Sequence, residues 1–263
     1  MFKLYLDPGH GGSDPGAVGN GIKEKDITLM ICQRIKERLL SQYSGINIRM
    51  SRTGDTYPTL PARTNDANHW GADFFLSVHI NSGGATGFES FIFPGSGKPS
   101  TTWQNEIHRE IVKTTGFDDR GKKQKDLHVL RESLMPALLT ENGFIDYPDD
   151  AAKLKNKQFI EKIALGHVTG ITQIAQLQPL PPKDTEMYRL ITGTFPSISE
   201  QEAAEEKLKN NFGWVVYTVN SNGLRLITGT FNGKDAAEKA AEQVRRRFGW
   251  VVYVKKDEKS WLN

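Results

Sequence analysis

Apolar positions over the first two-thirds of the chain follow two rhythms. Short runs at Lys3-Leu4-Tyr5-Leu6-Asp7, Ile46 to Met50, Asp73 to His79, Phe88 to Phe93, Leu127 to Leu130 and Ala137 to Thr140 have the length and the branched or aromatic content of strands. Between them, longer segments repeat their apolar residues every three or four positions. Ile27, Ile31, Ile35 and Leu39 recur at four-residue spacing after Asp26, a candidate N-cap, with Arg34, Lys36 and Glu37 between them, and so predict an amphipathic helix. Leu60 to Trp70, Thr101 to Thr115 and Lys157 to Ala175 read as further helices. In the last, Phe159, Ile160, Ile163, Ala164, Val168, Ile171 and Ile174 form one stripe. Strands alternating with helices predict an α/β domain over residues 1–175, a sheet flanked by helices on both faces.

The pattern changes at Gln176. Residues 176–186 contain Pro179, Pro181 and Pro182 and few helix formers, which predicts a semi-rigid, extended linker. Beyond it the chain repeats itself. Arg189-Leu190-Ile191-Thr192-Gly193-Thr194-Phe195 returns 36 residues later as Arg225-Leu226-Ile227-Thr228-Gly229-Thr230-Phe231, and Phe212-Gly213-Trp214-Val215-Val216-Tyr217 returns as Phe248-Gly249-Trp250-Val251-Val252-Tyr253. Each copy, 187–222 and 223–256, reads as a β-α-β unit that cannot bury its apolar face alone. The two are expected to merge into one small ferredoxin-like α+β domain over 187–256.

Charge narrows the function classes. With 34 basic and 31 acidic residues the chain carries +3, too little for a nucleic-acid footprint. Cys32 is the only cysteine, so no intramolecular disulfide can form. No apolar run approaches the ~18 to 20 residues of a membrane span, which argues against membrane insertion. The N-terminal residues lack a long apolar stretch, so the expectation is synthesis in the cytoplasm without a signal peptide.

Candidate chemistry lies at the ends of the strand-like runs. His10 stands in the glycine-rich Asp7-Pro8-Gly9-His10-Gly11-Gly12, His79 and Glu141 follow apolar runs, and Glu24 precedes the first amphipathic helix. In open α/β sheets the functional crevice lies outside the carboxyl ends of the strands. Two histidines and a glutamate suit a catalytic metal, because a His2Glu set leaves a fourth tetrahedral position open. Ligands so far apart in sequence must be assembled by the fold. The bland alternatives are a solvated histidine and, for Glu24, a helix-end charge favoured by the dipole.

The stretches Asp7-Pro8-Gly9-His10-Gly11-Gly12, then Glu24, Ser77-Val78-His79-Ile80-Asn81 and Thr140-Glu141-Asn142-Gly143-Phe144 resemble, in order, the zinc-dependent N-acetylmuramoyl-L-alanine amidases of the type 3 family. The resemblance implies that His10, Glu24 and His79 bind Zn2+, that Glu141 is catalytic, and that the substrate is peptidoglycan, cut between N-acetylmuramic acid and L-alanine. Asn81 and Arg131 are added as candidate substrate contacts. The C-terminal repeats resemble the SPOR family of peptidoglycan-binding domains, which implies binding of glycan strands. They depart from that family at Ile191 and Ile227, where glutamine is common. Trp214, Trp250, Tyr217 and Tyr253 are candidates for sugar stacking, with at least one of each Trp/Tyr pair expected in the core. The implied role is that of an endolysin or a mother-cell lytic enzyme that reaches the cell wall after release.

Two other functions compete: a noncatalytic wall-binding or regulatory protein, and a zinc peptidase or deacetylase of other specificity. The remaining histidines are assigned structural roles: His167 packed on a helix stripe, His69 near a helix end, His108 on a helix and His128 on a strand. Lys122, Lys123 and Lys125 are expected in a solvated loop.

Overall fold

Along β1 (Phe2–Pro8), Leu4 and Leu6 point to one face and Tyr5 to the other, and all three are buried, so this strand needs cover on both sides. The chain was described through a computed structural model, which covers residues 1–181, 186–220 and 222–257. It forms two compact units, Met1–Leu180 and Pro181–Asn263.

In the first unit β1 is followed by the short pair β2 (Val18–Gly19) and β3 (Ile22–Lys23), then α1 (Glu24–Gln42), β4 (Tyr43–Ser44), β5 (Ile46–Met50), α2 (Leu60–Trp70), β6 (Phe74–Asn81) and β7 (Phe88–Ile92). Next come α3 (Ser100–Thr115), β8 (Asp119–Gln124), α4 (His128–Arg131), β9 (Ala137–Phe144), α5 (Pro148–Lys155), α6 (Lys157–Ile174) and β10 (Gln178–Pro179). The sheet order is β5-β1-β6-β9-β7-β8. Strands β5, β1, β6 and β9 run parallel, while β7 pairs antiparallel with β9 and parallel with β8.

The two faces bury different sets. Leu4, Leu6, Phe74, Leu76, Val78, Phe88 and Leu138 pack with Ile31, Ile35 and Leu39 of α1, Ile107 and Ile111 of α3, and Ile163, Val168 and Ile171 of α6. Tyr5, Phe75, Phe91, Ala137 and Leu139 on the opposite face pack with Ala67 of α2 and Val129 and Leu130 of α4. At α6 the small Gly166 and Gly170 let that helix approach α3, since a Cβ on either would lie 2.7 Å from a backbone atom of Ile111 or Ile107.

Several local expectations are corrected. Asp26 does not cap α1: the helix starts at Glu24, and its first amides donate to the backbone carbonyls of Ala17 and Pro15, so the preceding loop replaces a side-chain cap. Leu127 to Leu130 is not a strand but leads into the single turn α4, with Leu130 and Arg131 both donating to the Leu127 carbonyl. A four-residue apolar run has no periodicity to separate the two states. Lys122 and Lys123 belong to edge strand β8, where lysines discourage further pairing. Within the expected linker, Gln178–Pro179 pairs antiparallel with Tyr43–Ser44 and Leu177 is buried, which holds the chain to the first unit as far as Leu180. Residues 182–185 of that linker lie outside the described residues.

The second unit contains β11 (Met187–Thr192), α7 (Ile198–Phe212), β12 (Val216–Val219), β13 (Arg225–Thr228), β14 (Phe231–Asn232), α8 (Lys234–Phe248) and β15 (Val252–Lys256). Its antiparallel sheet has β11 between β13 and β15, with β12 outside β13, the order of a ferredoxin-like fold. Equivalent residues of the repeats meet at the centre: Ile191 pairs with Ile227. The Leu226 amide donates to Thr192 Oγ1 and the Leu190 amide to Thr228 Oγ1, a reciprocal exchange that marks a pseudo-twofold axis. The core is likewise paired, with Leu190 and Leu226, Ala204 and Ala240, and Val216 and Val252 all buried.

Candidate metal centre and catalytic cleft

The loop after β1, the start of α1 and the strands β6 and β9 bring the four candidate residues together. His10 follows β1 in a turn where it adopts a positive φ of 61°, a conformation a non-glycine residue holds only when its surroundings enforce it. Buried Arg63 supplies that enforcement by donating to the carbonyls of Pro8 and His10 and to Asp7 Oδ1. His79 lies on β6 with Phe75 and Ser77 on the α2/α4 face.

Glu24 joins the two imidazoles. Its Oε1 lies 2.9 Å from His79 Nδ1 and its Oε2 3.1 Å from His10 Nε2. The same oxygens accept from the amides of Ile80 and Ala17. One ligand atom from each of His10, Glu24 and His79 falls within 4.8 Å of the others, and the carboxylate is 3% exposed. A helix-end charge points to its own helix amides; this one points away from them. His10 Nδ1 lies 2.8 Å from Asp14 Oδ2, a contact that orients the ring with Nε2 toward the cluster. Sequence reasoning missed Asp14, although its place in the glycine-rich turn was the available signal.

Two glycines make the approach possible. A Cβ on Gly9 would lie 2.4 Å from the His79 ring, and one on Gly16, at φ +65°, 2.6 Å from both Glu24 and the His10 ring. The crowding sets the electrostatics. Burial alone would raise the Glu24 pKa, but its hydrogen bonds to His10 and His79 outweigh this and hold the carboxyl far below its ordinary range. Burial pulls His10 down, yet Glu24 and Asp14 more than reverse it and raise the imidazole to about 9. His79 is raised for the same reason, chiefly by Glu24 acting against burial.

Glu141 stands beside this cluster on β9. Burial pushes its carboxyl up to about 7, opposed by the charge of His79 and reinforced by Glu24 and Glu89. Its Oε2 is buried with no hydrogen-bond partner. Glu89, its register partner on β7, is instead fully engaged by Asn81, Arg120 and Lys123. A cavity of about 270 Å³ opens beside the cluster on the α2/α4 face. Its lining includes His10, His79, Asp7, Tyr57, Leu60 and His128.

The two added substrate candidates fall elsewhere. Neither Asn81 nor Arg131 is among the residues that line the cavity. Asn81 donates to Glu89 Oε1, and Arg131 is committed at the surface to Asp126 and Glu132. The other structural assignments can be placed directly: His167 is buried between the Ile163 carbonyl and Thr140 Oγ1, His69 contacts the Asn65 carbonyl, and His108 contacts Ser90 and Asp119.

In the second unit two surface grooves of about 440 and 390 Å³ are related by the repeat. One is lined by Gly193, Thr194, Phe195, Arg225, Trp250 and Tyr253, the other by Gly229, Thr230, Phe231, Arg189, Trp214 and Tyr217. Trp214 and Trp250 pack on the core, whereas Tyr217 and Tyr253 are exposed.

Comparison with known proteins adds independent findings. A sequence model of the family described as N-acetylmuramoyl-L-alanine amidase matches residues 4–173. The chain is 53% identical over 195 residues to a sporulation-specific N-acetylmuramoyl-L-alanine amidase of Bacillus subtilis (strain 168), covering 74% of this chain and 76% of that protein. It is 45% identical over 185 residues to an endolysin of Bacillus phage SPP1, covering 68% of each. Among solved structures, an N-acetylmuramoyl-L-alanine amidase from Clostridium difficile 630 superposes with a TM-score of 0.65 at 33% identity, over 67% of this chain and 97% of that one.

Proposed function

The chain belongs to the N-acetylmuramoyl-L-alanine amidase family, and from that premise we propose how its residues carry out the reaction. The protein is a peptidoglycan amidase: it hydrolyses the amide between the lactyl group of N-acetylmuramic acid and the L-alanine of the stem peptide. His10, Glu24 and His79 would hold a zinc ion. Two imidazoles and a carboxylate within 4.8 Å form a donor set that suits this metal. Bound there, zinc would supply Lewis acidity toward the scissile carbonyl and the attacking water.

Glu141 is the proton carrier. Its unpartnered Oε2 accepts a proton from the attacking water as the oxygen bonds to the carbonyl carbon, and the carboxyl then delivers that proton to the departing nitrogen. The C–N bond breaks, and the second water proton passes from the new lactyl carboxylic acid to the freed amine, leaving a lactyl carboxylate and an L-alanine ammonium group. Asp14 orients His10 through its second ring nitrogen.

The C-terminal repeats hold the enzyme on glycan strands. Two equivalent grooves, each with an arginine and an exposed tyrosine, support this reading, because a rigid aromatic face and a planar donor suit sugar rings. Tethering raises the local concentration of the catalytic unit at the wall. The kinship with a sporulation-specific amidase and a phage endolysin supports action at the wall after release from the cell that made the protein.

The observation that carries the mechanism is the convergence of His10, Glu24 and His79 beside the orphaned Glu141 oxygen. Chelation followed by zinc add-back during digestion of purified wall tests it. Loss and return of newly exposed L-alanine amino groups is expected; full release in the presence of chelator would remove the metal from the reaction.

A further inference from the structure

The sequence holds six histidines, and five of them have a polar partner in the fold. His128 is the exception. Its Nε2 is buried and unpartnered, although the residue opens α4 within the lining of the catalytic cleft, which also contains His10 and His79. Buried polar atoms in native proteins are almost always hydrogen-bonded, so an orphan in a cleft wall marks a place where a ligand completes the bonding. The buried histidines elsewhere in this fold are paired: His167 has both ring nitrogens bonded, as does His108.

We propose that His128 is a substrate-binding residue whose Nε2 hydrogen-bonds a polar group of the muramoyl peptide seated in this cleft. Leu127, Val129, Leu139, Leu60 and Pro58 form the apolar part of the lining, with Tyr57 at the exposed edge, while Asp7, His10, Asp14, Arg63 and His79 form its polar part. Among the apolar lining residues a hydrogen-bonding group at 128 adds a directional contact that apolar packing alone does not supply. Position 128 is held by the turn itself: the Glu132 amide donates to the His128 carbonyl, and Val129 and Leu130 anchor α4 on the sheet. The backbone at 128 is therefore fixed, and rotation of the ring about its Cβ–Cγ bond is the movement that turns the buried Nε2 toward the cleft. The proposal rests on the amidase reading for the identity of its ligand but not for the existence of the site.

The test uses the full chain with zinc and a soluble N-acetylmuramoyl peptide. H128L is expected to keep wild-type zinc content and an equal or higher Tm, because it removes an unsatisfied polar atom, while kcat/KM falls at least tenfold through KM. H128Q, which restores a hydrogen-bonding group, is expected to recover part of that loss. In the E141Q protein, which holds substrate without cutting it, the His128 Nε2 resonance is expected to shift on titration with the same peptide. A wild-type kcat/KM in H128L, or an unmoved Nε2 resonance at saturating peptide, overturns the proposal. If the wild type itself frees no L-alanine amine from the peptide, the amidase reading fails instead, and the resonance still decides whether His128 meets the ligand.

Discussion

His79 and Glu141 are register partners on the adjacent parallel strands β6 and β9, so imidazole and carboxyl leave the sheet side by side on the same face. Phe75 with Ala137 and Ser77 with Leu139 precede them on that face, which ties the relative position of the imidazole and the carboxyl to the packing of the sheet core. A site built on strands in register is more precise than one built on loops alone.

Replacing Glu141 by Gln is expected to leave zinc content unchanged and to lower wall hydrolysis ~10² to 10⁴-fold, the usual contribution of a positioned acid-base group. Near-normal release of L-alanine amino groups would take Glu141 out of the reaction.

The same substitution has a stability signature in metal-free protein. The folded carboxyl is raised from 4.5 to about 7, so the folded state keeps its proton longer than the unfolded state. Wild type and E141Q should therefore be equally stable below about pH 4.5. As pH climbs to 7 the wild type loses roughly 3 kcal/mol relative to the variant, and the gap stays constant above 7. Denaturant melts across this range provide the check, and a pH-independent gap would contradict the burial argument.

Zinc uptake should release protons. His10, raised to about 9, carries a proton at neutral pH that a ligand must give up, and His79 is raised in the same direction. Affinity is expected to rise with pH up to about 9 and then level off. Calorimetry in buffers of different ionisation enthalpy counts the protons; zero release at pH 7 would refute the assignment.

Glu24→Ala removes the carboxylate that spans both imidazoles and should weaken zinc binding on the order of 100-fold or more. Full metal occupancy in this variant would reduce Glu24 to a helix-end charge.

Gly9→Ala places a methyl group where the His79 ring stands, with an ideal separation of 2.4 Å. The ring must move, so zinc content and hydrolysis should fall together even though none of the three ligands is altered. An unchanged metal content would show that the turn yields instead.

Wall retention should depend on the repeats. Residues 1–180 are expected to sediment with insoluble peptidoglycan less than the full chain, and the double variant R189A/R225A, which alters both grooves, should be impaired in the same assay. Equal sedimentation of all three would assign binding to the catalytic unit alone.

How much of this was legible in the chain differs from element to element. The period of four in Ile27, Ile31, Ile35 and Leu39 located α1, and Leu60–Trp70 and Ile46–Met50 fell at their observed bounds, because long or bounded patterns leave one way to bury an apolar face. The 36-residue repeat carried its own pairing rule, since equivalent positions such as Ile191 and Ile227 meet on a twofold axis. Residue types and motif order also marked His10, Glu24, His79 and Glu141. Only the tertiary structure decided the rest. The turn at Leu127 to Leu130 was decided by what it covers, the Tyr5 and Phe75 side of the sheet, which no four-residue pattern records. Arg131 was drawn to Asp126 and Glu132 rather than to the cleft, and His128 was left without a partner inside it. Local sequence fixes periodicity and chemistry; distances between groups 55 residues apart, such as Glu24 and His79, exist only once the sheet has closed its register.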